Sequence, residues 1–287
     1  MTLMRALVPL AAAVSIAAHG TAGSPLELTL ARLARVAELY RDNALGFACQ
    51  ETITYSSSGG GRIQFAYLFI RDEDGRLRDF RTWSTGTTAI DRGQEVHPRD
   101  YNVPRYVESA YLWAFVFRSD RQPLYRFDVR PEEIVGGRTA LPIEFRPREP
   151  ILKGLNDWAG TAWIDRETTQ ILKVEAYSPA DWNRLVDRDA IVANAPRRDD
   201  HEELNIYDIE RIVTEFGFEK NGMRFPSHVE IKKTRSTVFP GAKHSSFREV
   251  TLRTVNQDYS RFQFFSVRSR EEILRFVNGE APLRAIP

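Results

Sequence analysis

Two stretches decide the fold class: Phe47-Ala48-Cys49-Gln50-Glu51-Thr52-Ile53-Thr54-Tyr55 and Arg62-Ile63-Gln64-Phe65-Ala66-Tyr67-Leu68-Phe69-Ile70-Arg71, separated by the serine- and glycine-rich Ser56 to Gly61. Both are rich in β-branched and aromatic residues at a period of two, so each reads as a strand and the pair as a hairpin. Asp72-Glu73-Asp74-Gly75 then turns the chain into a third strand, Arg76 to Trp83, because aspartate and glycine tolerate the left-handed conformations of tight turns. Turns this short make neighbouring strands antiparallel. In the second strand Phe65, Tyr67 and Phe69 share one face, with Ala66, Leu68 and Ile70 on the other. A strand that is apolar on both faces is covered on both.

Outward from this meander, strand signals recur at Leu124 to Arg130, Arg138 to Arg146, Gly160 to Asp165, Gln170 to Tyr177, Glu210 to Phe218, Met223 to Val238 and Lys243 to Tyr259. Asp165-Arg166-Glu167-Thr168 and Glu219-Lys220-Asn221-Gly222 join two consecutive pairs, the second through the Asn-Gly step that favours a tight hairpin. Helices are fewer. Ser24-Pro25 supplies an N-cap and a first-turn proline, and Leu26, Leu30, Leu33, Ala37 and Tyr40 form an apolar stripe ending near Asn43. Pro104 opens a second helix, through about Phe117, that is apolar nearly all round and therefore buried. Ser84 to Val103 reads as a long loop, Asp181 to Ile209 as a charged, turn-rich insertion, and Arg268 to Asn278 as a short closing helix. The sum is a mainly β (α+β) chain with a large curved antiparallel sheet, a half-barrel, wrapped around one or two helices.

The N-terminus sets the compartment. Arg5 precedes a run from Ala6 to Ala18 that is almost wholly apolar, followed by the small residues Gly20, Ala22 and Gly23. A charged start, a short apolar core and a small-residue exit define a secretory signal. The run is shorter than the roughly 20 apolar residues of a membrane-spanning helix. Residues 1–23 are therefore expected to be a signal peptide cut near Ala22 or Gly23, leaving 24–287 as one domain in the periplasm or outside the cell. No second such run follows, so an integral membrane protein is not expected. Cys49 is the single cysteine of the chain, which excludes an internal disulfide. Lysine and arginine (40) balance aspartate and glutamate (39), unlike the strongly basic domains that bind nucleic acid.

Chemistry-bearing motifs do not emerge. His97, His201, His228 and His244 are scattered, without the close spacing of helical zinc ligands. Cys49 has an acid, Glu51, as its neighbour rather than a base, which suits a buried structural thiol. Gly59-Gly60-Gly61 and Gly136-Gly137 lack the lysine and hydroxyl of a phosphate loop. Asp72-Glu73-Asp74 resembles half of a calcium loop, but Thr82 stands where the distal glutamate would fall. No catalytic residue, metal or cofactor is assigned.

Gly160-Thr161-Ala162-Trp163-Ile164-Asp165-Arg166-Glu167-Thr168, Phe218-Glu219-Lys220-Asn221-Gly222-Met223-Arg224-Phe225-Pro226, the opening helix and the meander from Phe47 to Trp83 together resemble the periplasmic lipoprotein-carrier superfamily of LolA and LolB. That resemblance implies a half-barrel closed by helices and a concave face that holds an acyl chain or apolar peptide. The chain differs from the simplest carriers in its longer loops and in lacking a lipid-attachment cysteine. The reading is a non-enzymatic exported binding protein for an apolar small molecule, lipid or lipoprotein, with Phe65, Tyr67, Phe69, Trp113, Phe115 and Trp163 lining the site. Two alternatives stand beside it: an envelope protein-interaction or sensor module with a filled interior, and a hydrolase that pairs His97 or His228 with a distant acid.

Overall fold

The computed structural model describes residues 24–43, 46–56, 60–71, 77–83, 112–187, 205–239, 246–264, 275 and 278–280. The proposed signal peptide, the loop from 84 to 103 and residues 104–111 lie outside these.

Helix α1 (Pro25–Glu38) begins with a capping box: Ser24 Oγ accepts from the Glu27 N–H at 3.2 Å while the Ser24 N–H donates to Glu27 Oε2 at 2.7 Å. Leu33, Val36 and Ala37 are buried along one side, and a wider π turn over Leu39–Asn43 closes the helix at the residue where its pattern ends.

Strands β1 (Gly46–Ser56), β2 (Gly61–Arg71) and β3 (Leu77–Trp83) form the expected meander, with Phe47 opposite Phe69 and Glu51 opposite Phe65. Further along come β4 (Tyr125–Val129), β5 (Glu133–Val135), β6 (Arg138–Pro147), β7 (Ala159–Asp165) and β8 (Ile171–Tyr177). After them follow β9 (Asn205–Glu215), the small hairpin β10 (Phe218–Lys220) and β11 (Met223–Phe225), then β12 (His228–Phe239) and β13 (Ser246–Phe264). The large sheet has the order β3-β2-β1-β13-β12-β9-β8-β7-β6-β4, with β5 paired on β6, and every pairing is antiparallel. It is an open, curved sheet rather than a closed barrel. Its inner face carries one apolar cluster in which Leu33, Val36, Leu39 and Tyr40 of the first helical segment meet Phe47, Ile53, Phe65, Ile143, Phe145, Ile212 and Ile231.

Three expectations are corrected. The span from Asp181 to Ile209 is not a structureless insertion: helix α2 (Pro179–Val186) starts two residues before it and runs into it, with Ser178 Oγ accepting from the Asp181 N–H at 3.1 Å, and β9 already runs from Asn205. Ser178-Pro179 repeats the Ser24-Pro25 signal, which local charge obscures. The strands expected at Glu210–Phe218 and Met223–Val238 are each divided, because Pro226 has no N–H for a ladder and Ser227 Oγ binds the Gly217 N–H at 3.0 Å. The Asn221-Gly222 turn is present, with φ 52° and 80°, but its arms β10 and β11 stand off the main sheet as a separate pair. Finally, the described part of the segment from Pro104 to Phe117 is a 3-10 helix, Leu112–Phe117, whose Trp113, Ala114, Val116 and Phe117 are buried. Gln122 ties it to α1 by donating from Nε2 to the Leu30 and Phe117 carbonyls, both at 2.8 Å.

Gly160 on β7 leaves no room for a side chain against β8: a Cβ there would lie 2.0 Å from the Glu175 carbonyl oxygen and 2.9 Å from Ala176 Cα. Both contacts are backbone, so nothing can swing aside. Gly160→Ala should lower the unfolding free energy by about 1–3 kcal/mol, measured by urea denaturation; an unchanged midpoint would disprove the close approach.

Candidate functional site

Strand alternation builds the inner face. Phe47, Cys49, Glu51 and Ile53 of β1 point inward, and the register places Tyr67 opposite Cys49 and Phe65 opposite Glu51. From the other side β13 sets Tyr259 opposite Glu51 and Phe264 opposite Phe47. Between Ala48 and Gln50 the register slips: Cys49 alone faces both Arg261 and Phe262, and Arg261 has φ 56°. This bulge reverses the parity of β13. Tyr259, Phe262 and Phe264 consequently share one face, although strict alternation would send Tyr259 to the opposite side from Phe262 and Phe264.

The result is an aromatic wall. The Phe47 ring lies 5.5 Å from Phe262, 5.8 Å from Phe225 and 6.2 Å from Tyr67, centroid to centroid, and Phe218 stacks on Phe262 at 4.4 Å. A second aromatic group lies beneath the 3-10 helix: Trp113 meets Trp158 edge-on at 4.9 Å, and Phe117 stacks on Phe127 at 5.8 Å. The indole N–H of Trp113 is buried and has no hydrogen-bond partner among the described residues.

Among these rings sits a buried polar cluster. Glu51 accepts from Arg81 Nε at 2.6 Å and Nη2 at 3.0 Å, and Gln257 Nε2 donates to both Glu51 Oε1 (3.0 Å) and Tyr259 Oη (2.9 Å). The Arg81 guanidinium lies 5.0 Å over the Tyr67 ring. Burial pulls the Arg81 pKa down, but the Glu51 carboxylate outweighs it and holds the guanidinium firmly charged. Burial also raises the Tyr259 hydroxyl and the Cys49 thiol, each further raised by Glu51. Cys49 is thus a protonated thiol at neutral pH, which matches the structural role expected for it.

Of the six residues proposed to line a site, Phe65, Tyr67 and Trp113 are buried in the one core cluster. Phe69 lies on β2 opposite Phe47, and Phe115 within the 3-10 helix; their side chains lie outside the described residues. Trp163 is placed elsewhere. Its neighbours Ala162 and Ile164 join the core, while its own ring packs over Lys173 Nζ at 4.6 Å and donates Nε1–H to Glu133 at 3.0 Å on the outer face. The sequence reading missed Glu51, Arg81, Gln257 and Tyr259. Glu51 carried a signal, being a carboxylate in phase with Phe47, Cys49 and Ile53, but its partners come from β3 and β13.

Among the described residues, recesses open on the surface at two places. One, of about 250 Å³, is lined by Ala48, Cys49, Gln50, Phe65, Ala66, Arg261 and Gln263 at the bulge. The other, of about 450 Å³, lies at hairpin tips between Gly137–Thr139 and Asp165–Glu167, with Arg138, Asp165, Arg166 and Glu167 among its lining residues. His228 Nδ1 lies 2.7 Å from Asp258 Oδ1 on the outer face, away from both, and the adjacent Ser227 hydroxyl is engaged with the Glu215 carbonyl at 3.2 Å. His97, His201 and His244 fall outside the described residues. Among the described residues no group of three or more histidine, cysteine, aspartate or glutamate side chains could hold a metal ion, and no helix is long and apolar enough to cross a membrane.

No family model and no curated protein matches the sequence. Among solved structures, the chain is similar to a DUF1329 family protein from Desulfovibrio piger, with TM-score 0.41 and 11% identity over 88% of this chain and 98% of that one. It is also similar to a LolA superfamily protein from Nitrosomonas europaea, with TM-score 0.36 and 9% identity over 82% and 93%.

Farther along the inner face, β9 and β12 carry an ionic cluster: Asp208 accepts from Arg235 at 2.7 and 3.0 Å and lies 3.1 Å from Lys233 Nζ, while Arg253 reaches Glu210 at 2.9 Å. The Arg235 hydrogen bonds, joined by Lys233, outweigh the opposing effect of burial and hold the Asp208 carboxyl at about 2, below its ordinary 3.8. A depressed carboxylate stabilises the fold above its ordinary pKa, and that contribution is lost as pH falls through the folded value. Unfolding midpoints should therefore fall between pH 4 and pH 2 more gently in Asp208→Asn than in the parent; parallel curves would show that the cluster contributes nothing. For the buried pair, Arg81→Leu should cost about 3–5 kcal/mol by leaving Glu51 uncompensated. The double variant Glu51→Leu/Arg81→Leu should recover most of that loss in the same denaturation assay, and a further drop would refute the pairing.

Proposed function

We propose that the chain is an exported, non-enzymatic binding protein that holds an apolar ligand, a lipid, acyl chain or lipoprotein, between the inner face of the open sheet and the segment ending in the 3-10 helix. In this reading residues 1–23 are the secretion signal, removed near Ala22 or Gly23, and 24–287 form a single domain working in the periplasm or outside the cell.

The observation that carries the proposal is Trp113. Its side chain is buried and meets Trp158 edge-on, yet among the described residues its indole N–H has no acceptor. A buried donor left unpaired costs about 1–3 kcal/mol, and an ester or amide oxygen entering beside the helix would recover that loss while its chain lay along the rings. Phe65 and Tyr67 supply apolar surface on the facing strand, with Phe69 and Phe115 as further candidates. Trp163, on the outer face, is not part of this site.

A second reading, an interaction or sensor module with a filled interior, is favoured by the complete enclosure of Phe65, Tyr67 and Trp113 together with Leu33 and Val36 of α1. The two readings part on whether the helical cover lifts to admit a guest.

Native mass spectrometry and solvent extraction of protein purified from its own compartment should find a bound lipid or acyl compound. Trp113→Phe should weaken a fluorescent fatty-acid probe about 3- to 10-fold, the equivalent of one hydrogen bond of roughly 0.5–1.5 kcal/mol. If nothing co-purifies and no acyl probe binds, ligand carriage is refuted and the filled module stands.

A further inference from the structure

Arg121 stands at the margin of the apolar core with no counter-charge of its own. It lies in the turn that follows the 3-10 helix, where its backbone N–H donates to the Arg118 carbonyl at 2.9 Å and its carbonyl accepts from the Leu124 N–H at 2.8 Å. The next residue is Gln122, which ties the helical cover to α1. The backbone of Arg121 is therefore fixed. Its side chain is half-buried, with Nε out of contact with water and without a hydrogen-bond partner among the described residues.

The acids that would neutralise it are committed elsewhere. Asp120 receives both Nε and Nη2 of Arg118, at 2.9 and 2.7 Å, and Asp157 accepts the Gly154 N–H at 2.8 Å. Among the described residues the neighbouring Arg118 is thus ion-paired, whereas Arg121 is not. Burial, and then Arg118 as a like charge, disfavour the Arg121 cation, and Tyr125, Asp120 and Asp157 offset them only in part. Charges withdrawn from water are ordinarily paired, so the missing partner here calls for an anion from outside the chain.

Arg121 also borders the aromatic group under the 3-10 helix. Tyr125 and Asp157 act on its charge; the Tyr125 hydroxyl donates to the Leu155 carbonyl at 3.3 Å, and Trp158, next to Asp157, meets Trp113 edge-on at 4.9 Å. Two buried donors without acceptors, Arg121 Nε and Trp113 Nε1, therefore border one short segment, Leu155 to Trp158. The charged one is at the margin and the neutral one is deep among rings. That order fits an amphiphile with an anionic head and an apolar tail.

The charges nearby select the head. A guanidinium presents parallel N–H donors that match the two coplanar oxygens of a carboxylate. A phosphate dianion would call on further cations, and the nearby arginines are engaged: Arg118 on Asp120 and Arg148, through Nε, on the Tyr125 carbonyl at 2.9 Å.

We propose that Arg121 is a head-group site and that the ligand class is a long-chain carboxylate, with its carboxylate on the Arg121 guanidinium and its chain along Trp113, Phe117 and Trp158. This rests on the reading of the chain as a carrier of an apolar ligand and names the ligand class for it.

Fluorescence titration of the full chain with dansyl-undecanoic acid, and with its methyl ester, tests the assignment. The parent should bind the acid roughly tenfold tighter than the ester or better, as hydrogen bonds to a charged group require. Arg121→Gln should bind acid and ester alike, at the parent's affinity for the ester, and without a lowered thermal midpoint because it removes an unpaired charge. Arg121→Lys keeps the charge but loses the planar fork, and should fall between the two. Arg126→Gln, at an exposed arginine on β4, should match the parent. Unlabelled laurate should displace the acid probe, and inorganic phosphate should not. Equal affinity of the parent for acid and ester, tight acid binding by Arg121→Gln, or displacement by phosphate overturns the head-group site and leaves ligand carriage intact. Loss of both probes in Arg121→Gln together with a lowered thermal midpoint makes Arg121 a structural residue and also overturns it. If the parent binds neither probe, ligand carriage and the head-group site fall together.

Discussion

The pairing of β1 with β13 is the constraint on which the rest depends. These strands lie at opposite ends of the described chain, and Phe47 faces Phe264 across their ladder. Without that ladder the N-terminal meander would be a three-stranded sheet with β1 as a new bare edge, and the remaining strands would form a second open sheet with β13 as another. Closing so long a loop costs entropy that only many contacts along the ladder offset. The pairing runs from Phe47 to Ser56 against Phe264 to Thr254, through one bulge. That bulge does more than interrupt the ladder, since it sets Phe262 and Phe264 on the same face as Phe47 and Tyr259.

From this junction the inner face is graded. The aromatic wall lies at one end, the enclosed ion pair Glu51–Arg81 with Gln257 and Tyr259 in the middle, and the half-exposed Asp208, Glu210, Lys233, Arg235 and Arg253 at the other. The helical cover follows the same grading. α1 and the 3-10 helix sit over the apolar part, where burial repays about 25 cal/mol per Å² of apolar area, and leave the ionic end to water. The buried pair adds little net stability by itself, since desolvation offsets its attraction. With Gln257 and Tyr259 its members come from β1, β3 and β13, so it tolerates only one register among them. On the outer face α2 contributes a different cover, with Trp182 packed 5.7 Å from Tyr177 and the Arg184 guanidinium 5.5 Å over Tyr207.

Local patterns were legible wherever a signal and its consequence lie within a few residues. The meander from Phe47 to Trp83, the capped helix at Ser24-Pro25, the Asn221-Gly222 turn and the structural thiol at Cys49 all follow from neighbours in the chain. Helix α2 was hidden because a charged stretch masked a cap identical in kind to the first. The division of the late strands depended on Pro226 and on the hydroxyl of Ser227, a contact between residues 10 apart.

The sequence by itself thus determined that this is a mainly antiparallel β protein with a capped amphipathic helix ahead of its sheet, because period, turn chemistry and capping are short-range. Only the tertiary structure decided which faces became interior. Trp163 has the aromatic character of a lining residue, yet the pairing of Ala162 and Ile164 into the core turns it outward. Glu51 looks like a surface acid, yet Arg81 and Gln257 enclose it. The parity of a strand is set by its ladder partners and their bulges, and those partners, up to 206 residues away, carry no mark of one another in the sequence.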